Sequence, residues 1–241
     1  MCGRYVDPNE SALERFWHHG ARGRQWWDKP YEPRYNVAPT MPVAAVFVAD
    51  DGVQELTRMR WGLVPHWWRK PTLPSLSFNA RSEEAAEKPM WRESLARRRC
   101  LMPARGWYEW CEHQKALGPS GKPCNQPYFL FCPDEPDIAF AGLWSAWARE
   151  DGSVLLSCAL LSKEAAPAIA GIHHRMPVVL PREHHDDWLD PSNGTAQALE
   201  LVQTARGDLD AYPVSTRVNS ARNDEEGLIA EERLVCKVNR G

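Results

Sequence analysis

Short apolar segments separated by turn residues occupy the middle of the chain, and this pattern is typical of β-strands. Residues 43–48 and 54–60 flank Asp50-Asp51-Gly52, which predicts a β-hairpin. Gly and Pro residues over 118–123 predict an exposed loop. The pattern predicts four further strands, at residues 101–112, 128–132, 138–147 and 154–161, and the turn Asp151-Gly152 joins the last two as a second hairpin.

Helical patterns lie mainly outside this region. Asp7-Pro8-Asn9-Glu10 predicts a helix start in which Asp7 is the cap and Pro8 the first helical residue, with the helix ending near Gly20. The other predicted elements are helices at 82–99 (broken by Pro89), 181–189 and 195–205, and a late strand at 212–218. Strands in the middle and helices around them predict an α+β fold, one domain over residues 1–241 with a curved or barrel-like, mainly antiparallel β core.

Composition narrows the class of protein. The chain has 241 residues, 43% hydrophobic and 25% charged, which suits a packed core and not a disordered chain. No apolar run is long enough for a transmembrane helix, and residues 1–7 lack the apolar region of a secretory signal, so we expect a cytoplasmic protein. The net charge of −3 conceals an excess of basic residues in the first half, which on its own identifies no binding surface.

Cysteines and histidines show no metal-binding spacing. The seven cysteines form no C-x-x-C pair, so neither a disulfide framework nor a zinc site is expected. Six of the eight histidines fall in adjacent pairs, at positions 18–19, 173–174 and 184–185. Adjacent side chains point apart on a strand and diverge on a helix, so such a pair is a poor chelate. The sequence therefore predicts no metal and no cofactor.

Cys2 is the first candidate for covalent chemistry. Removal of Met1, which is usual before a small second residue, would leave Cys2 with an α-amine and a thiol on adjacent carbons. Their reference pKa values, roughly 7.7–8 and about 8.5, make both groups partly nucleophilic near neutral pH. With an aldehyde, the amine forms a Schiff base and the sulfur then closes a thiazolidine ring in an intramolecular step. A cysteine also occurs at position 2 by chance, so this residue alone establishes nothing.

Several short motifs accompany Cys2 along the chain. They are Met1-Cys2-Gly3-Arg4-Tyr5, Tyr35-Asn36-Val37-Ala38-Pro39-Thr40, Trp61-Gly62-Leu63-Val64-Pro65, Phe78-Asn79-Ala80-Arg81, Arg105-Gly106-Trp107-Tyr108-Glu109-Trp110 and Ile172-His173-His174-Arg175-Met176-Pro177. In number and order, the motifs closely resemble the SRAP (SOS-response-associated peptidase) family from Cys2 to about Asn219. The resemblance implies an abasic-site processing protein that forms a thiazolidine crosslink to single-stranded DNA, with accompanying lyase activity and self-removal of Met1.

The resemblance also implies four catalytic roles. Cys2 would be the crosslinking nucleophile, and Asn79 would orient the sugar and the N-terminal residue. Glu109 would be the acid/base carboxylate, and His173 would assist opening of the sugar ring. These residue types suit those roles, because histidine titrates near neutral pH and a buried carboxyl can both give and take a proton. His174 stands where the family usually has Asp.

DNA contacts are implied in the same way. Arg4 and Arg81 resemble the phosphate-contacting arginines of the family, and arginine binds phosphate with two parallel hydrogen bonds. Pro39 and Trp68 resemble residues that wedge or stack at the DNA junction, where an abasic nucleotide is already unstacked. Ser162 stands where many members have Thr, so the hydroxyl is kept.

Structural explanations remain open for these residues. Asn79 could cap a helix that begins near Ser82, Glu109 could be a solvent-facing strand residue, and His173 could be purely structural. Two other functions also remain open. One is an N-terminal-nucleophile hydrolase, in which Cys2 attacks an amide and its own amine is the base. The other is a non-covalent single-strand-binding module. We expect a monomer that acts on abasic single-stranded DNA without a membrane partner.

Overall fold

The computed structural model describes residues 2–17, 31–70, 72–74 and 77–232. Its strands are β1 Tyr5–Val6, β2 Pro42–Val48, β3 Gln54–Trp61, β4 Asn79–Arg81, β5 Arg99–Ala104, β6 Gly106–Leu117, β7 Pro123–Phe131, β8 Ile138–Ala148, β9 Val154–Glu164, β10 Arg175–Pro177, β11 Val179–Leu180 and β12 Asp210–Pro213. Its α-helices are α1 Glu10–Trp17, α2 Ser82–Ala85, α3 Arg92–Arg97, α4 His185–Leu189 and α5 Thr195–Gln203, and short 3-10 helices cover Arg182–His184, Thr216–Asn219 and Glu226–Ile229.

Five strands close into a barrel in the order β9-β3-β2-β5-β8, because β8 pairs back to β9. The β3–β9 pair is parallel and the other four pairs are antiparallel. Short strands β4 and β10 extend the pairing of β9, and β11 pairs with β8. A second, antiparallel sheet has the order β1-β6-β7-β12. The predicted α+β fold with a barrel-like, mainly antiparallel core is confirmed.

Alternate residues of the barrel strands enter two different cores, as the two-residue period of a strand requires. On β2, Val43, Ala45 and Phe47 pack in one cluster, whereas Ala44 and Val46 pack in another with helix residues. The helix-covered cluster includes residues from α1, α3 and α4, namely Leu13, Leu95 and Trp188. The first cluster also takes in Cys2, Tyr5 and Trp107. Cys2 therefore lies where the barrel core meets the second sheet.

The strand predicted at 101–112 is instead two strands in different sheets, with β5 ending at Ala104 and β6 beginning at Gly106. The backbone of β7 approaches Gly106 so closely that a Cβ there would lie 2.4 Å from the carbonyl oxygen of Leu130. Only glycine permits that approach. The apolar run continues through the break, so hydrophobicity alone gave no sign of the change of sheet.

The first helix starts later than predicted. Asn9, and not Asp7, is the cap, because its Oδ1 accepts a 2.8 Å hydrogen bond from the amide of Ala12. Asp7 is buried and paired with Arg34, whose Nε lies 3.0 Å from the carboxylate. The predicted end near Gly20 lies outside the described residues.

The other predicted elements are present with shifted bounds. The helical run predicted to residue 99 ends at Arg97, because Arg99 begins β5, and residues 182–184 of the helix predicted at 181–189 are a 3-10 helix. Both hairpins form, and α2 and α3 lie on either side of Pro89. The late strand ends at Pro213, and residues 216–219 are a 3-10 helix, in which Ser215 Oγ accepts a hydrogen bond from the amide of Arg217. Across the described part of the chain, no helix combines the length and apolar character needed to cross a membrane.

Candidate active site

The N-terminal strand brings Cys2 to the start of β6. Tyr5 lies opposite Trp107 in the antiparallel β1–β6 pair, and the Arg4 carbonyl accepts a 3.0 Å hydrogen bond from the amide of Tyr108. Continuing this register leads residues 2–4 along β6 toward Glu109. Cys2 itself is 1% exposed.

Arg4 links this strand by hydrogen bonds to the 3-10 helix that follows β12. Its Nη1 donates to Asn36 Oδ1 at 2.9 Å and to the carbonyl of Val218 at 2.8 Å. Asn36 is buried, and its Nδ2 donates in turn to the carbonyls of Ser220 and Asn223. The guanidinium of Arg4 therefore positions the N-terminal strand, while its implied phosphate contact stays a prediction.

Asn79 contacts the backbone of Cys2. It is the first residue of β4, which pairs in parallel with β9. Its Nδ2 donates a 2.8 Å hydrogen bond to the Cys2 carbonyl. The helix-cap alternative is wrong, because Arg81 occupies the cap position of α2 and no side chain caps it. The buried Oδ1 of Asn79 has no hydrogen-bond partner among the residues the structure describes.

Glu109 is buried, with 2% of the residue exposed, so the solvent-facing alternative is wrong. Burial raises the pKa of its carboxyl from 4.5 to about 7, against the opposing effect of a hydrogen bond with the Cys2 side chain. Burial also raises the pKa of the Cys2 thiol well above its usual value, and the neighbouring Glu109 acts in the same direction. Near neutral pH, the carboxyl is therefore close to half-protonated and the thiol keeps its proton.

His173 completes the cluster from the turn before β10. Its Nε2 lies 3.9 Å from Glu109 Oε2. Its Nδ1 lies 2.9 Å from the carbonyl oxygen and 3.0 Å from the amide nitrogen of Arg175. The amide can donate to a bare Nδ1, and the carbonyl can accept from a protonated one, so either tautomer finds a partner without ring movement. Burial lowers the pKa of His173, which favours the neutral ring.

The adjacent ring of His174 stacks on His173, with 4.6 Å between centroids and 29° between planes. The expectation that adjacent histidines point apart is wrong for this pair, because the residues lie in a turn and not in a strand or helix. Within the described ranges, no three His, Cys, Asp or Glu side chains are grouped so as to hold a metal ion.

Two of the DNA-contact candidates, Arg81 and Trp68, differ in their surroundings. Arg81 is exposed and pairs loosely with Glu84, at 3.6 Å. Trp68 is half-buried, and its Nε1 donates to the carbonyl of Thr72 at 2.9 Å. Lys70 Nζ lies 5.6 Å from the centre of the Trp68 ring. The neighbouring Trp67 is the more exposed tryptophan, at 40%.

Pro39 belongs to a turn with an unusual backbone. The amide of Met41 donates to the carbonyl of Ala38 at 3.2 Å, which closes the turn around Pro39 and Thr40. Thr40 has φ of 76°, a conformation that costs a β-branched residue free energy. Its amide donates to the carbonyl of Trp61 at 2.7 Å, which holds the turn against the end of β3.

Arg175 received no role from the sequence, although it lies within a quoted motif. Its backbone holds the His173 ring, and its guanidinium forms a two-pronged ion pair with Glu83 at 2.8 and 2.9 Å. It also donates to the carbonyl of Ser162 at 2.7 Å. The only sequence signal for this role is a histidine two residues before an arginine. The contact between the His173 ring and the Arg175 backbone depends on turn geometry, which residue spacing does not reveal.

Comparison with known proteins identifies the family. The SOS response associated peptidase (SRAP) family model matches residues 1–221. Abasic site processing protein YoaM of Bacillus subtilis is 35% identical over 96% of this chain and 99% of its own length. Abasic site processing protein HMCES of Pongo abelii is 30% identical over 98% of this chain and 78% of its own length.

Solved structures share the fold. A crystal structure of a Bacteroides thetaiotaomicron protein covers 96% of this chain and all of that chain, with a TM-score of 0.76 at 21% identity, which shows the shared fold. A phage-related protein of Bordetella bronchiseptica has a TM-score of 0.67 at 29% identity, and the match covers 88% of this chain and 94% of that protein's chain. The chain belongs to the SOS response associated peptidase (SRAP) family.

Proposed function

We propose that this protein processes abasic sites in single-stranded DNA by forming a covalent thiazolidine crosslink through Cys2 after removal of Met1. The observation that carries the proposal is the buried contact of Cys2 with both Glu109 and Asn79, with His173 beside Glu109. The names of the curated relatives, abasic site processing proteins, support the same substrate.

The first step is opening of the sugar ring. An abasic deoxyribose is mostly a closed hemiacetal, so the proton of its anomeric hydroxyl must leave and the ring oxygen must gain one. His173 suits both transfers, because its neutral ring accepts a proton at Nε2 while the backbone of Arg175 accommodates either state of Nδ1. The product is an aldehyde at the terminal carbon of the open sugar.

The second step joins this aldehyde to Cys2. The α-amine attacks the carbonyl carbon, and the resulting hydroxyl leaves as water after it is protonated, giving an imine. The sulfur then adds to the imine carbon while the thiol proton passes to the nitrogen, and the five-membered ring closes. One water is released overall. An imine that does not close can instead lose the 3′-phosphate after loss of a proton from the neighbouring carbon, which is the lyase reaction.

Glu109 and Asn79 support these proton transfers. With a pKa of about 7, Glu109 can donate a proton to the departing hydroxyl and accept one from the amine or the thiol. Asn79 holds the Cys2 carbonyl with its Nδ2, and its Oδ1 is an acceptor available to the sugar or the amine. Because the Cys2 thiol keeps its proton before the reaction, attack by the amine is favoured as the first step.

DNA recognition uses the four residues that resemble DNA-contact residues of the family. We assign phosphate contacts to Arg81 and Arg4, and stacking or wedging at a strand junction to Trp68 and Pro39. Arg81 is the last residue of β4 and Asn79 is the first, so a phosphate bound by the exposed guanidinium of Arg81 would lie near the reacting sugar. An abasic nucleotide has no base to unstack, which lowers the free energy of placing its sugar in the site.

The direct test mixes the purified protein with single-stranded DNA that carries one abasic site, followed by a denaturing gel. We expect a heat-stable shifted band from protein whose mass lacks Met1. Cys2→Ala abolishes this band, and Cys124→Ala, a cysteine outside the site, retains it. A heat-stable band from Cys2→Ala would contradict the proposal. No band from Met1-free wild-type protein would also contradict it, and would favour amide hydrolysis or plain strand binding.

A further inference from the structure

His174 lies beside His173 and has no part in the chemistry proposed above. The two rings are stacked at 4.6 Å, but their environments differ. The His173 side chain is 13% exposed, whereas His174 is an exposed residue. One face of the buried imidazole is therefore covered by a second imidazole that solvent reaches.

Two further contacts of the His173 ring are at its edges. Arg175 holds Nδ1 through its backbone, and Glu109 lies 3.9 Å from Nε2. The carbonyl of His174 accepts a 3.1 Å hydrogen bond from the amide of Ala165, which ties the turn to the end of β9. The stacked ring is thus carried on a fixed backbone, and together with the edge contacts it defines which way Nε2 points.

Stacking also couples the charges of the two rings. Two imidazolium ions at this distance repel each other, so a positive charge on the outer ring disfavours a second one on His173. Burial also disfavours the charged form of His173. His173 then stays neutral over the range in which it must accept a proton.

Other charged groups face the same ring. Burial is the largest cause of the lowered pKa of His173, and the positive charges of the amino terminus and of His174 act in the same direction. The hydrogen bond with the backbone of Arg175 and the negative charge of Glu112 oppose them. Glu109 lies nearest to Nε2, and its carboxyl is close to half-protonated near pH 7. His174 is the one of these side chains that reaches the face of the ring by stacking.

We propose that His174 is a positioning residue that holds the imidazole of His173 with Nε2 toward Glu109 and keeps it uncharged at the pH of the reaction. This inference rests on the proposed function only in assuming that His173 accepts a proton from the sugar. The stacking and the charge coupling are properties of the free protein and can be measured without DNA.

The first measurement is an NMR titration of the histidine rings in the purified protein, with His173→Gln used to assign the His173 signal. We expect His174→Asp to raise the titration midpoint of His173 by about one pH unit, because a negative charge replaces a positive one. His174→Phe, which keeps a stacked ring without charge, raises it by less. His184→Phe, in another adjacent histidine pair, leaves it unchanged. Equal midpoints in the wild type, His174→Asp and His174→Phe would overturn the proposal.

The second measurement is the pH profile of single-turnover crosslinking. The acid limb should move upward in His174→Asp by the same amount as the NMR midpoint. His174→Phe should keep the plateau rate, whereas His174→Ala, which loses the stacked ring, should lower it several-fold. Equal plateaus for Phe and Ala would contradict the positioning role.

The results distinguish a failure of the role of His174 from a failure of the proposed function. Crosslinking with no midpoint shift overturns the role of His174 alone, and a midpoint shift without any crosslinking overturns the proposed function alone.

Discussion

The reaction cluster and the DNA-contact candidates lie in contrasting environments. The first group is joined by direct contacts or close approach and is buried or half-buried, and it comprises Cys2, Asn79, Glu109 and His173. The second group lies in turns and at strand ends, where the protein's own atoms occupy several of its polar groups, and it comprises Arg4, Pro39, Trp68 and Arg81.

The contacts of the first group constrain the roles of its residues more closely than those of the second group do. A buried polar atom needs a partner, so its neighbours constrain the role it can have. An exposed arginine or tryptophan is solvated by water and can turn toward a ligand when one arrives. We therefore expect substitutions in the reaction cluster to change reaction rates and proton transfer. We expect substitutions in the second group to change DNA affinity.

The largest expected effect is on the rate of crosslinking in Glu109→Gln. Glutamine keeps the shape of the side chain but cannot transfer a proton, so we expect the single-turnover rate to fall by about 10²–10⁴-fold. Glu150→Gln, an exposed carboxylate at the turn between β8 and β9, should change the rate little. Equal crosslinking rates in Glu109→Gln and Glu150→Gln would contradict a proton-transfer role for the buried carboxyl.

A smaller loss is expected for Asn79→Ala. The substitution leaves the buried carbonyl of Cys2 without its donor, a cost of about 1–3 kcal/mol that corresponds to roughly a 10- to 100-fold slower reaction if it falls on the transition state. Non-covalent affinity for intact single-stranded DNA should stay unchanged. The matched control is Asn125→Ala, an asparagine on β7 outside the cluster. Equal losses of affinity and rate in Asn79→Ala would contradict a role confined to the reaction cluster.

The pKa of Glu109 predicts a pH-dependent cost to folding. Because the pKa of its carboxyl is raised from 4.5 to about 7 on folding, the associated stability is present below about 4.5 and is lost as the pH rises through about 7. Relative to Glu109→Gln, the wild type should lose about 2 kcal/mol of unfolding free energy between pH 5 and 8. Urea unfolding of both proteins at the two pH values measures this difference. Parallel pH dependences would show that the carboxyl ionises as freely as in water.

The smallest effect is expected at the second group. Arg81→Gln should weaken non-covalent binding of single-stranded DNA a few-fold, and should lower the slope of log affinity against log salt by about one. The crosslinking rate at saturating protein should be unchanged. Arg149→Gln, at the turn between β8 and β9, is the control of equal charge change. A loss of rate at saturation in Arg81→Gln would place this arginine in the reaction cluster.

The fold was largely predictable, because turn residues interrupt apolar segments at the hairpins and Pro89 interrupts the helical run. The errors have local causes. Asn9 competes with Asp7 as a cap, and the buried ion pair of Asp7 with Arg34 decides between them. The change of sheet at Gly106 follows from the approach of β7, a contact between segments far apart in the sequence.

The grouping of the candidate site residues was predictable only through the resemblance to a family. Residues 106–109 of β6 are all buried, so alternation of polar and apolar residues could not reveal which way Glu109 faces. Asn79 reaches Cys2 through strand register, and His173 reaches Glu109 through turn geometry, which single motifs do not encode. The stacking of His174 on His173 ran against the expectation from regular secondary structure, because both residues lie in a turn.

The central claim is that Cys2 joins DNA through both its amine and its sulfur, and intact mass spectrometry with peptide mapping tests it most directly. We expect a conjugate whose mass is that of Met1-free protein plus the abasic oligonucleotide less one water. We also expect the modified N-terminal peptide to resist both thiol alkylation and borohydride reduction, because the ring has closed. A conjugate mapped to a lysine, or an N-terminal adduct whose thiol still alkylates, would contradict the claim.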